Sequence, residues 1–279
     1  MAIWIIIILG IVQGACEFLP VSSSGHLVVF YNIFNITENT ILLSVILHVA
    51  TLFAVVFCYY KQIIKLIKNP FCNTNKKLVV ATIPTLIIVL ILKGVVEKSF
   101  DGLFVICGFV ITAIVLVISQ LTENKHNKML ANSEFVTKSG CFDYDITNIN
   151  VSYKQAVMVG MAQGLAIFPG VSRSGSTIAM GLMCNVKKQH AADFSFLLSI
   201  PIIVAGLLFE VLEVMISGGS VGFSFLTLLI GFVFSFVSGF LCIKLMLKFV
   251  KNSKLYWFSI YLILLAIFLI LNKYVLFWF

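Results

Sequence analysis

The chain contains one arginine, Arg173, set in the run Pro169-Gly-Val-Ser-Arg-Ser-Gly-Ser-Thr177. A guanidinium is a planar, permanently charged fork that engages phosphate oxygens two at a time. Around it Ser172, Ser174, Ser176 and Thr177 offer hydroxyls, and Gly175 lets the backbone approach a ligand. A helix starting here would aim its free N–H groups and positive dipole end at the same anion. The run therefore reads as an anion-recognition loop, with helix capping as a second use of the same hydroxyls.

A related run lies 150 residues earlier, Gln13-Gly-Ala-Cys-Glu-Phe-Leu-Pro-Val-Ser-Ser-Ser-Gly-His26. Laid over one another without a gap, Gln13/Gln163, Gly14/Gly164, Phe18/Phe168, Val21/Val171, Ser22/Ser172, Ser24/Ser174 and Gly25/Gly175 coincide. Ser23 takes the place that Arg173 holds in the second copy, so a twofold relation between the copies predicts that the two approach each other. Glu17 is the only acid among the first 37 residues. Buried alone it would neutralise; Arg173 or a divalent cation keeps it ionised. Gln13 stands one helical turn before Glu17 on the same face. One carboxylate and one amide are too few for an all-protein cage but suit Mg²⁺ or Ca²⁺ shared with substrate phosphates. The bland alternative is a structural Glu17–Arg173 ion pair. His26 closes the Ser-Ser-Ser-Gly run, where it reads as a proton carrier or nucleophile beside Ser23. His48 reads as core packing within a span, with cavity lining as the alternative. His190 and Asp193, near Lys187 and Lys188, read as the solvated start of a span, and Glu210 and Glu213 as interfacial.

The elements that position these residues follow from composition. The chain is 61% hydrophobic with mean hydropathy +1.10, which no soluble domain of 279 residues requires and a polytopic membrane protein does. The net charge of +8 does not point to nucleic acid, because the lysines fall between apolar segments. Seven cysteines show no CxxC or CxxH spacing and read as small apolar filler. No basic n-region precedes the first apolar stretch, which argues against a cleaved signal peptide.

Spans are expected at about 41–60, 78–96, 102–121, 194–215, 223–243 and 255–275, each near the ~20 residues a bilayer core needs. Residues 3–31 and 155–185 are apolar but interrupted by Pro, Gly and Ser. Irregular backbone survives at membrane depth only when buried in protein or lining a wet cavity, so each reads as a re-entrant helix hairpin. The expected fold class is an all-α polytopic membrane protein with six transmembrane helices and two re-entrant hairpins. Alternating the spans places fifteen lysines on one side and Lys93, Lys98 and Lys273 on the other, so the lysine-rich side is cytoplasmic and both termini face outward. Three spans separate the hairpins, which therefore insert from opposite faces. That arrangement is an inverted-topology repeat, whose broken helices meet near the midplane. The expected organisation is a single membrane domain: a first repeat over 1–121, a polar cytoplasmic linker over 122–154 carrying Glu123, Glu134, Asp143 and Asp145, and a second repeat over 155–279.

Gln13-Gly-x-x-Glu17-Phe-Leu-Pro-Val-Ser-Ser-Ser-Gly-His26 and Pro169-Gly-x-Ser-Arg-Ser-Gly-x-Thr177 resemble the two signature motifs of the bacterial undecaprenyl-diphosphate phosphatases, the bacitracin-resistance family. Phe194-Ser-Phe-Leu-Leu-Ser-Ile-Pro201 resembles it too, so the resemblance extends along the chain. It implies a multi-pass plasma-membrane enzyme that converts undecaprenyl diphosphate to undecaprenyl phosphate for cell-wall glycan synthesis, with its cavity opening outward. By the same resemblance Ser23, His26, Arg173 and Glu17 are catalytic. Arg173, Ser172, Ser174, Gly175, Ser176, Thr177, Ser22 and Ser24 bind the diphosphate, and Glu17 with Gln13 meets the divalent cation, Mg²⁺ or Ca²⁺. Gln13 is the neutral variant of a family position written Glu or Gln, which puts more weight on Glu17. The implied partners are a polyprenyl diphosphate and membrane lipid, with no nucleic acid. The choice between Ser23 and His26 as nucleophile, and whether the chain forms a homodimer, stay open at this level. The rival readings are a polyprenyl-phosphate transporter or flippase, which needs a site but no nucleophile, and the other membrane phosphatase superfamily. The residues do not support the latter, because Ser172-Arg173 lacks its later histidine; position 179 is alanine.

Overall fold

A computed structural model describes residues 2–36, 40–96, 102–130, 146–217, 224–252 and 255–276. Among them the chain is helical, with no strand. The helices are α1 (Ile3–Phe18), α2 (Ser23–Ile33), α3 (Thr40–Cys58), α4 (Tyr60–Lys68), α5 (Asn73–Val96), α6 (Gly102–Leu130), α7 (Tyr153–Leu165), α8 (Arg173–Met183), α9 (Lys188–Ser217), α10 (Phe225–Asn252) and α11 (Tyr256–Leu271). Stretches of α5, α6, α9, α10 and α11 are long and apolar enough to cross a bilayer, and α3 with α4 makes a sixth if the bent pair counts as one. A helix satisfies its own backbone hydrogen bonds, which a hydrocarbon solvent demands. Large apolar side chains such as Leu90, Ile91, Leu208, Leu241 and Leu264 point outward. Water would not tolerate so continuous an apolar exterior; lipid does.

The apolar stretches 3–31 and 155–185 each fold as two helices joined by an irregular break, α1–α2 and α7–α8. α1 lies along α10, and α7 lies along α5. Glycines set both crossings. A Cβ on Gly160 would stand 2.0 Å from the Ala81 carbonyl oxygen, and one on Gly10 would stand 2.8 Å from the Gly231 carbonyl oxygen. One on Gly164 would meet Ile88, and one on Gly14 would meet Ser238. Each of these contacts maps onto its counterpart at the offset of 150 that relates the two motifs. Small residues let helix backbones touch where no hydrophobic force drives association. Gly160→Val is therefore expected to pry α7 from α5 and to destabilise the protein by about 1–3 kcal/mol. The measurement is the unfolding midpoint in detergent, which should fall in this variant. Met161→Leu, next along α7 on its exposed face, should leave the midpoint unchanged.

Two local expectations change. The span expected to end at residue 60 stops at Cys58, and the chain turns by 76° into the separate, lysine-bearing α4. The turn is held from inside: Tyr59 is fully buried and its hydroxyl donates to Asp193 of α9 at 2.6 Å. Asp193, expected at a solvated helix start, is 0% exposed. It is tolerated there because a hydrogen-bonded carboxylate avoids the cost of bare burial. The expected linker is also partly structured. α6 runs through its first residues to Leu130, and the Thr74 and Lys77 side chains donate to the Ile146 and Ile149 carbonyls at 2.8 and 3.0 Å. Glu134, Asp143 and Asp145, together with the side chains of Glu123, Glu210 and Glu213, lie outside the described residues.

Candidate active site

The two breaks meet inside the protein. Ser22 caps α2 by accepting the Gly25 N–H at 3.3 Å, and Ser172 caps α8 by accepting the Gly175 N–H at 3.0 Å. A Cβ on Gly25 would touch the Gly170 Cα at 3.0 Å, and one on Gly175 would touch Pro20 at 3.1 Å. These two contacts are also reciprocal at the offset of 150, and they bring the starts of α2 and α8 together. Gly170 has φ +87°, a conformation glycine adopts without strain. Ser22 adopts φ 69°, which costs a non-glycine residue about 1–3 kcal/mol and is retained where the surroundings enforce it. Thr112 of α6 braces the second break: its hydroxyl accepts the Ser172 N–H at 2.9 Å and reaches the Gly170 carbonyl at 3.2 Å. As one threonine in an apolar span, it carries no signal in the sequence.

Glu17, at the end of α1, is the hub. Its Oε2 accepts the Ser23 hydroxyl at 2.6 Å and the Gln13 amide at 3.1 Å, and its Oε1 pairs with the Arg173 guanidinium. His48 of α3 brings Nε2 to 3.8 Å from the same Oε2. The carboxylate side chain is only 2% exposed, so its charge is balanced by these partners rather than by bulk water. Ser23 and Arg173, equivalent positions in the two copies, thus share one carboxylate.

The structure separates the other expected residues. His26 is buried and both its nitrogens are engaged, Nδ1 with the Ser22 carbonyl at 2.7 Å and Nε2 with the Tyr261 hydroxyl at 2.7 Å. A carbonyl only accepts, so Nδ1 carries the proton and Nε2 of the neutral ring accepts from Tyr261. The ring packs against Phe109 and stacks on Tyr261. The structure does not bring it to the Ser23 hydroxyl; it clamps the strained turn at Ser22. His48, read from sequence as packing, takes the position facing Glu17 instead. The sequence offers cavity lining only as the second reading of His48, and it does not single out Tyr261, which lies in an apolar span far along the chain.

The hydroxyl set divides likewise. Ser22, Ser23, Ser24, Ser172 and Arg173 line a cavity of about 390 Å³ with Glu17 and His48. Its remaining wall, largely from α5 and α9, is mostly apolar. Ser174 donates to the Leu19 carbonyl at 3.0 Å, across to the first break. Thr177 is bound to Ser195 of α9 at 2.5 Å and to its own helix. Ser176 faces a second, apolar groove of about 350 Å³ between α6 and the α7–α8 segment. Ser174, Ser176 and Thr177 therefore support the loop's shape, whereas Ser22, Ser23, Ser24 and Ser172 reach the cavity.

The donor set also bears on a cation. The Gln13 side chain is fully buried, and its Oε1 has no hydrogen-bond partner. A buried carbonyl oxygen left over beside a carboxylate suits a hard cation. No group of three His, Cys, Asp or Glu converges among the described residues. The residues therefore fit an ion held partly by protein and partly by a ligand, not a closed cage.

The family profile described as bacitracin resistance protein BacA matches residues 6–268. This chain belongs to that family. A protein of Methanosphaera stadtmanae named undecaprenyl-diphosphatase is 38% identical over 97% of this chain and 98% of its own length. Proteins of the same name from Carboxydothermus hydrogenoformans and Alkaliphilus metalliredigens are 34% and 38% identical, covering 94% and 91% of this chain and 94% and 93% of their own. With its apolar helices, membership places the BacA-family chain among multi-pass membrane proteins.

Proposed function

We propose that this BacA-family protein hydrolyses undecaprenyl diphosphate to undecaprenyl phosphate and inorganic phosphate. The observation that carries the mechanism is Glu17 joined to both Ser23 and Arg173 at the polar end of a largely apolar cavity. Ser23 is the nucleophile: its hydroxyl already donates to a carboxylate that takes its proton as Oγ attacks the terminal phosphorus. The bridging P–O bond breaks, and the prenyl phosphate leaves with its electron pair and with the proton that Glu17 took from Ser23. Arg173 spends one nitrogen on Glu17 and has further N–H groups for phosphate oxygens. The starts of α2 and α8 add backbone N–H groups where charge develops. Water then releases phosphate from Ser23. A divalent cation, Mg²⁺ or Ca²⁺, met by Glu17 and the Gln13 amide oxygen, would supply further charge neutralisation on the diphosphate. The mostly apolar wall suits the prenyl tail.

The fold reading that accompanies this function is six spans, with α3–α4 as one bent span, and two re-entrant hairpins in inverted repeats. The reciprocal glycine contacts at a constant offset support it. Lysine distribution supports outward termini, and the family resemblance an outward-opening cavity. The test is inorganic phosphate release by the purified protein in detergent. Turnover of a polyprenyl diphosphate, lowered by a chelator and restored by Mg²⁺ or Ca²⁺, is expected. A pure transporter would release no phosphate.

A further inference from the structure

His48 is a titratable cavity-lining side chain beside Glu17 that the reaction above leaves unused. Its orientation is fixed. Nδ1 lies 2.8 Å from the Ser44 carbonyl and 3.2 Å from the Ser44 hydroxyl. The carbonyl can only accept, so Nδ1 bears a hydrogen, and in the neutral ring Nε2 presents a lone pair to the cavity. That lone pair stands 3.8 Å from Glu17 Oε2, itself 2.6 Å from the Ser23 hydroxyl. Two acceptors at this separation do not bond directly. A water donating one hydrogen to each would bridge them, and such bridges are nearly as favourable as direct bonds. With both hydrogens so engaged, its lone pairs would be left for an electrophile in the cavity.

We propose that His48 and Glu17 together seat the water that hydrolyses the Ser23 phosphoenzyme. The inference rests on the phosphatase reading with Ser23 as nucleophile. In this step the water oxygen bonds to phosphorus and the P–Oγ bond to Ser23 breaks. The electron pair of that bond goes to Oγ, which takes the proton the water loses. Ser23 and inorganic phosphate are regenerated with no net proton uptake. His48 acts as a fixed acceptor throughout. The other groups around it do not compete for the role. Arg173 can only donate, the free Gln13 oxygen is the one offered to the cation, Gln163 is tied through its amide to Thr85 of α5 at 3.3 Å, and the α5 and α9 stretches lining the cavity are uncharged.

The test uses full-length His48→Ala and His48→Gln in detergent, with undecaprenyl diphosphate labelled in its terminal phosphate. His48→Ala is expected to lower kcat roughly 10- to 100-fold, the scale of a misplaced reactant. It should change KM little and accumulate labelled phosphoserine at Ser23. Added methanol should capture a larger share of the phosphoryl group than in the unsubstituted protein, because water has lost its seat. His48→Gln, whose amide oxygen accepts a hydrogen bond, should recover part of kcat and reduce the accumulation. Loss of activity in both variants without phosphoserine, or kcat unchanged in His48→Ala, overturns the inference while leaving the phosphatase reading intact. Absence of phosphate release from the unsubstituted protein overturns the phosphatase reading itself.

Discussion

Arg173→Lys is expected to lower kcat/KM for undecaprenyl diphosphate by roughly 10²- to 10³-fold while the protein still folds and inserts. The charge is retained, so Glu17 keeps a cationic partner and is not abandoned in a buried site, the situation that costs about 3–5 kcal/mol when one partner of a pair is removed. What is lost is the fork. The guanidinium holds Glu17 Oε1 with one nitrogen while offering others to phosphate in the same plane. A single ammonium cannot hold that geometry on both. An electrostatic donor aimed at developing charge contributes about 10²- to 10³-fold to rate, which sets the expected size. The measurement is phosphate release beside thermal unfolding of the same preparation. Near-normal turnover in a stable variant would remove Arg173 from the reaction.

The second large effect is Ser23→Ala, for which a loss of about 10³-fold or more is expected, as for removal of a nucleophile elsewhere. No labelled phosphoenzyme should form. The variant also takes one donor from Glu17 Oε2, but Gln13 and Arg173 stay in place, so the fold is retained. His26→Ala is the informative partner. Its ring is tied to the Ser22 carbonyl and Tyr261, so its removal should loosen the turn that presents Ser23 and lower stability. The labelled serine should still form in it. If His26→Ala abolishes the phosphoenzyme while Ser23→Ala retains it, the roles assigned to the two residues are reversed.

Particular residues show how far the sequence carries. The pairing of Ser23 with Arg173 follows from aligning two motifs, because equivalent positions in repeated units meet near the axis that relates them. The breaks at 19–22 and 166–172 follow from Pro, Gly and Ser where a continuous helix is otherwise expected. His26 is bonded to Ser22 and Tyr261 for a simple reason: adjacency in a motif fixes where a Cα sits, not where a ring points. Three residues after Ser23 on α2, its ring turns to Phe109 and Tyr261 instead of to the cavity. Ser176 and Thr177 follow the same logic, since successive positions on α8 face different neighbours.

The sequence by itself determined the membrane class, the helical segments, the internal offset of 150 residues and the family. Each of these is written in composition or in local spacing. Only the tertiary structure decided that Glu17 would bridge Ser23 and Arg173, that His48 rather than His26 would face the carboxylate, and that Asp193 would be buried under Tyr59. Those outcomes depend on which faces of helices far apart in the chain are pressed together. That is settled by close contacts such as Gly160 on Ala81 and Gly25 on Gly170, which no local pattern encodes.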